Sequence, residues 1–285
     1  MEVKEKNVYL TMEQKFVLIK GIKIHYRTSG WGNPIILLHA YPRSGKMLEE
    51  FGDMLSNHFN VIIPDLPGYG YSESIPQKVA TMNDVVPYLK EFISTIFLKK
   101  PHIYGTAMGA QLGIAYALTY PNDIKNLYLD NPAHFSEEEF HQISENYFVD
   151  LTPKKDGSHL QILWTHVKES MMYFPWYDHS PENQFSTDEP SPTIISEIAN
   201  DYLVAGIRYD ELYRAAFKHE RVEKIQRLSV PTIIFKWKTS ILLKYIDRLL
   251  SFHLPDNVSV VETEKDIMER YRKMVEVIVS QVSNQ

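Results

Sequence analysis

The chain has no cysteine in its 285 residues. Disulfides, thiolate metal ligands and a cysteine nucleophile are therefore excluded by composition. Also missing is any run of roughly 20 apolar residues of the kind a membrane helix needs. The opening segment, Met1 to Leu10, is charged and lacks the apolar stretch of a signal peptide. A cytoplasmic protein with no membrane contact is expected. No Lys/Arg run is long enough to make a phosphate-binding stripe, and the formal net charge is -6, so nucleic acid is not an expected partner. His159, His166 and His179 lack metal-ligand spacing backed by carboxylates, so neither a metal nor a cofactor is expected.

What is present is material for one large core. Hydrophobic side chains make up 44% of the sequence, and the 18 Tyr, 13 Phe and 4 Trp supply contact area for a core and for an apolar ligand pocket alike. From Lys15 to Arg27 the side chains alternate about Lys20-Gly21, which predicts a β-hairpin. Pro34-Ile35-Ile36-Leu37-Leu38 and Val61-Ile62-Ile63-Pro64 are continuous apolar runs of buried parallel strands, separated by an amphipathic segment from Met47 to Asn57. A helix follows from about Met82 to Phe97. The strand His102-Ile103-Tyr104 then runs through Gly105 into a helix from Met108 to Tyr120.

One more strand, Asn126 to Asp130, precedes a change of pattern. From Ala133 to Gln226 the chain reads as helical and aromatic-rich, interrupted by Pro, Ser and Asp between Ser180 and Pro192. Strand patterns resume at Pro231 to Phe235 and Val258 to Val261, and a helix from about Lys265 to Val282 closes the chain. The expected fold is α/β: an eight-stranded, mostly parallel sheet flanked by helices, with residues 1–132 and 227–285 as core and 133–226 as an inserted helical cap.

Two loops carry a family resemblance. Leu37-Leu38-His39-Ala40-Tyr41-Pro42 resembles a strand-end His-Gly-x-Pro loop with Ala40 in place of glycine. Asp65-Leu66-Pro67-Gly68-Tyr69-Gly70-Tyr71-Ser72 matches Asp-x-x-Gly-x-Gly-x-Ser in full. At their spacing the two motifs resemble the α/β-hydrolase superfamily, and more narrowly its epoxide hydrolase and haloalkane or fluoroacetate dehalogenase branch. The resemblance covers nearly the whole chain and implies the fold above, with the cap after the sixth strand.

It also implies a nucleophile elbow, Gly-x-Ser-x-Gly or its relative, between strand and helix. This chain reads Gly105-Thr106-Ala107-Met108-Gly109, so a methyl group stands where the nucleophile is expected. The position resembling the family acid after the seventh strand holds Ser240. No histidine lies beyond His253, which precedes the last strand. Three losses together are read as native to the chain. Asp130, at the end of its strand, lies near the branch's alternative acid position; it is either that acid or a strand-end cap.

The resemblance places the oxyanion hole on the backbone N-H groups of Tyr41 and Met108, which survive side-chain loss. His39 is the remaining acid-base candidate, although the histidine of this motif usually ties down the oxyanion loop. Asp65 reads as a loop-fixing carboxylate. Arg43 and Lys46 either hold an anionic substrate group or are solvated. In the cap, Leu160, Leu163, Trp164 and Val167 recur at helical spacing and fit packing. The run Tyr173-Phe174-Pro175-Trp176-Tyr177 crowds a proline-broken turn and, with Trp164 and Trp237, supplies candidates for a pocket wall. The expected function is a non-hydrolytic cyclase, lyase or isomerase acting on a small apolar carbonyl compound in a biosynthetic route. A non-catalytic ligand-binding or scaffold protein is the first alternative, and residual ester or epoxide hydrolysis by water oriented on His39 or Asp130 the second. The expected partner is a small molecule between core and cap, and a homodimer is left open.

Overall fold

The structure is a computed structural model, and it describes residues 12–283. The expectation for Met1 to Leu10 lies outside the described residues. Strands β1 (Glu13–Ile19) and β2 (Ile22–Ser29) form the expected hairpin. Its two-residue turn places Lys20 at φ 48° and Gly21 at φ 84°. Two positive φ values are what a turn matched to strand twist requires.

Then follow β3 (Pro34–Leu38), α1 (Glu49–Ser56), β4 (Asn60–Pro64), α2 (Val86–Thr95), β5 (His102–Thr106), α3 (Met108–Thr119) and β6 (Leu127–Asp130). The helical stretch comprises α4 (Glu137–Asn146), α5 (Ser158–Ser170), α6 (Pro192–Ala205), α7 (Glu211–His219) and α8 (Val222–Ile225). The chain then returns to the sheet with β7 (Thr232–Trp237), α9 (Leu243–Leu250), β8 (Val258–Thr263) and α10 (Ile267–Ser283). Helix α9 was not expected, yet Tyr245, Ile246 and Leu249 are its buried face at helical spacing.

The eight strands are ordered β1-β2-β4-β3-β5-β6-β7-β8, antiparallel up to the β2/β4 pair and parallel from there on. Side chains alternate between two cores, as strand geometry dictates. Ile36 and Leu38 join the α2/α3 side, whereas Ile35 and Leu37 face α1 and α10 with Phe51, Met274 and Ile278. Because the chain leaves β3 toward β4 on one side and later returns to β5 on the other, the carboxyl ends of β3 and β5 flank a topological switch point, where open α/β sheets hold ligands.

Between β6 and β7 no strand forms among the described residues. Ser136 and Glu139 make a reciprocal capping box that starts α4. The end of the stretch packs on the sheet's own helix: Leu212, Ala215, Ala216, Val222 and Ile225 belong to the core cluster containing α3. No helix among the described residues is long and apolar enough to cross a membrane.

Candidate functional site

Strand β5 enters α3 through Ala107, held at φ 47° and ψ -112°. An L-residue in so sparsely populated a region costs roughly 1–3 kcal/mol. The flanking glycines explain how the turn is tolerated. A Cβ on Gly105 would lie 2.3 Å from Gly109 O, and one on Gly109 would lie 2.2 Å from Leu38 O. Gly109 thus seats the start of α3 directly against the end of β3. The Ala107 N-H donates to Asp130 O at 2.9 Å, tying the turn to β6. Ala107 and Thr106 line a cavity of about 350 Å³, together with Ala40 and Tyr41 from the loop after β3.

The Met108 side chain is buried in the core and the residue is not among those lining the cavity, whereas Tyr41 is. Among the described residues neither the Met108 nor the Tyr41 N-H has a hydrogen-bond acceptor. His39 is placed differently. Its Nδ1 is 2.9 Å from Ala40 O and its Nε2 accepts from Leu66 N at 2.8 Å. It is fully buried, burial lowers its pKa, and it does not line the cavity. The acid-base expectation is corrected: both ring nitrogens are committed to backbone, and the ring braces the loop. Asp65 also serves the scaffold, accepting from Arg27 at 2.7 Å, Gly45 N at 2.8 Å and Tyr71 N at 3.0 Å.

Asp130 does reach the cavity, but it is engaged. One carboxylate oxygen is ion-paired with Arg270 of α10, and the other accepts from Tyr104 OH at 2.8 Å. The Arg270 guanidinium lies 4.8 Å from the centre of the Trp237 ring. Arg270 was missed from sequence. The search there was for a histidine after the last strand, and the arginine stands near that place. Ser240 lines the cavity and turns its hydroxyl back to accept from Leu242 N at 3.1 Å.

One wall of the cavity is aromatic. Tyr41 stacks on Tyr213 with ring centres 4.1 Å apart and planes 11° from parallel. Phe174, Tyr147 and Tyr202 complete that wall, and Trp237 lies at the sheet end, so two of the expected pocket residues are in place. Four are not. Trp164 is on an exposed side of α5, while Leu163 and Val167 take the buried face. Tyr173 stacks on His179 at 4.5 Å. Trp176 donates to Tyr147 O at 2.7 Å, and Tyr177 borders a separate groove beside α4. These are corrections: on the turn, successive rings project in different directions, and on α5 the buried face runs through Leu163, His166 and Val167 and leaves Trp164 outside it. Arg43 lines the cavity but is paired with Asp201 at 2.7 Å and only partly solvated, so it is not a free anion anchor.

Behind the wall, His166 Nε2 lies 2.6 Å from Tyr202 OH, and burial lowers the imidazole to about 3. This neutral pair fixes a ring that faces the cavity. Tyr202→Phe leaves the buried imidazole without its partner and lowers stability by about 1–3 kcal/mol. Thermal denaturation checks this, and an unchanged midpoint refutes it.

A family model described as alpha/beta hydrolase fold matches residues 33–170. An epoxide hydrolase of Vigna radiata superposes with a TM-score of 0.68 at 18% identity, covering 96% of this chain and 97% of that one. The chain has the α/β-hydrolase fold. An enol-lactonase of Burkholderia xenovorans is equally similar, with a TM-score of 0.68, 17% identity and coverage of 94% and 100%. The fold that the resemblance of the two loops implied is thus borne out. Among curated proteins, an uncharacterized hydrolase of Saccharomyces cerevisiae is 30% identical over 119 residues, 41% of each chain. A soluble epoxide hydrolase of Corynebacterium is 29% identical over 112 residues, 39% of each. The chain therefore aligns with about two fifths of the length of these curated relatives.

Proposed function

We propose that this protein is a non-hydrolytic enzyme on an α/β-hydrolase scaffold, a lyase, isomerase or cyclase that acts on a small apolar, carbonyl-bearing compound in a biosynthetic route in the cytoplasm. Residues 133–226 form its cap over a core of 1–132 and 227–285, and the substrate occupies the cavity between them. By its motifs it is nearest the epoxide hydrolase and dehalogenase branch. The observation that carries the reading is the Ala107 turn. A strained turn with unsatisfied N-H groups beside it is costly to keep, and here it opens into a cavity with a methyl group at the nucleophile position. Donors at Tyr41 and Met108 polarise a carbonyl without covalent attack, and the aromatic wall orients the rest of the molecule.

Hydrolysis has little support, because Asp130 is already paired and His39 is braced. Ala107→Ser therefore creates no acyl-enzyme: the variant releases no burst of nitrophenol from an ester and is not labelled by a fluorophosphonate. Labelling of the variant would restore a hydrolytic reading. The positive test incubates the protein with a metabolite extract in oxygen-18 water. A product that forms only with protein and carries no label supports the proposal; a labelled product overturns it. One observation favours a binding role instead, since each charged side chain lining the cavity, Arg43, Asp130 and Arg270, already has a partner. Under that reading a compound is retained from the extract and recovered unchanged.

A further inference from the structure

We propose that the Arg270 end of the cavity is an oxyanion subsite that receives the carboxylate of a small organic acid with an aromatic or apolar body. The inference rests on the reading of this cavity as a ligand site and names the class of ligand it takes. Arginine offers five N-H donors in a planar fork. In Arg270 one arm, Nη2, is bound to Asp130, while Nε is buried and without a partner. Nη1 has no acceptor among the described residues. The residue is only 3% exposed and lines the cavity, so little water reaches the guanidinium; Nε has no open surface, which leaves Nη1 as the donor a ligand meets. A buried donor without an acceptor is costly, and a bound carboxylate removes that cost with charge-assisted hydrogen bonds.

The neighbours narrow the choice. Asp130 has both oxygens engaged, by Arg270 and Tyr104, and so makes no further demand on the guanidinium. Trp237 lies against the guanidinium face at 4.8 Å and fixes its plane. Asn131, at φ 56°, lines the same end; its Nδ2 can donate to a carboxylate, whereas its buried Oδ1 is an acceptor and cannot. Asp130 offsets the single positive charge of Arg270, so the pair is net neutral, and a monoanion held by the open N-H donors meets less repulsion from Asp130 than a doubly charged phosphate would. The other cavity arginine, Arg43, is held by Asp201 at 2.7 Å, which makes Arg270 the anchor. Tyr41, Tyr213 and Phe174 wall the opposite side and fit a ring or short apolar chain.

Matched acids and amides test the subsite: phenylacetate against phenylacetamide, 3-phenylpropanoate against 3-phenylpropanamide, and cinnamate against cinnamamide, each titrated calorimetrically. The acid of at least one pair binds the wild-type chain at least tenfold more tightly than its amide. Arg270→Met alone strands a buried carboxylate and is liable to unfold, so the decisive variant is Arg270→Met with Asp130→Asn, which removes both charges together. That double variant binds acid and amide alike. Equal binding of acid and amide to the wild type overturns the subsite while leaving the cavity a ligand site. Acid preference that survives in the double variant overturns the assignment to Arg270. If no member of any pair binds the wild type, the subsite and the ligand-site reading fall together.

Discussion

Arg270→Met lowers the stability of the chain by about 3–5 kcal/mol, and adding Asp130→Asn restores most of it. The asymmetry follows from burial. The Arg270 and Asp130 side chains are 4% and 3% exposed, so neither charge is served by water once its partner is gone. Methionine leaves Asp130 with the Tyr104 hydroxyl alone, facing the aromatic rings of Tyr104 and Trp237. Asparagine at 130 still accepts from that hydroxyl and carries no charge to strand. Methionine in turn fills part of the space of the guanidinium stem against Trp237. Urea denaturation of the wild type, both single variants and the double variant gives the coupling directly. A double variant as unstable as Arg270→Met would show that the carboxylate is held by something other than its arginine.

The same pair marks where sequence reasoning stopped. Pro34 to Leu38 and Val61 to Pro64 announced themselves as strands because a strand buried on both faces leaves a continuous apolar run. The elbow was legible because its requirement is local: a Cβ added to Gly105 or Gly109 would lie 2.3 or 2.2 Å from a backbone oxygen, and only glycine fits. Asp130 was visible at a strand end, with two readings open. Its partner Arg270 was not visible, since an ion pair spanning 140 residues leaves no mark in spacing. The aromatic turn failed for a related reason. Helical periodicity says which face is buried, but around the proline at 175 each ring direction depends on tertiary contacts, so Phe174 went inward and Tyr177 outward. Helix α9 was in principle readable, yet its eight residues follow the short loop that had been searched for an acid.

Raising the pH from 5 to 9 weakens the chain through Glu220, and Glu220→Gln removes that dependence. Glu220 follows α7 and joins it to the sheet, accepting from Ala133 N at 3.0 Å and from Gln111 of α3 at 3.2 Å. Burial raises its carboxyl from 4.5 to about 8. Between those values the folded chain holds a proton that the unfolded chain has released, so stability falls as pH rises through the window and levels off above it. At about 1.4 kcal/mol per pKa unit, Glu220→Gln is more stable than wild type by roughly 4–5 kcal/mol at pH 9, and the two chains converge near pH 4. His219 works in the opposite direction. Its Nδ1 lies 3.0 Å from Gln111 Oε1 and burial lowers it to about 4, so it destabilises the folded chain as pH falls below its ordinary 6.5. Because both chains retain His219, their difference isolates the carboxyl. Denaturation midpoints recorded from pH 4 to 9 separate progressively if Glu220 is protonated in the folded chain. Parallel curves would mean that the carboxylate is already ionised where α7 meets α3.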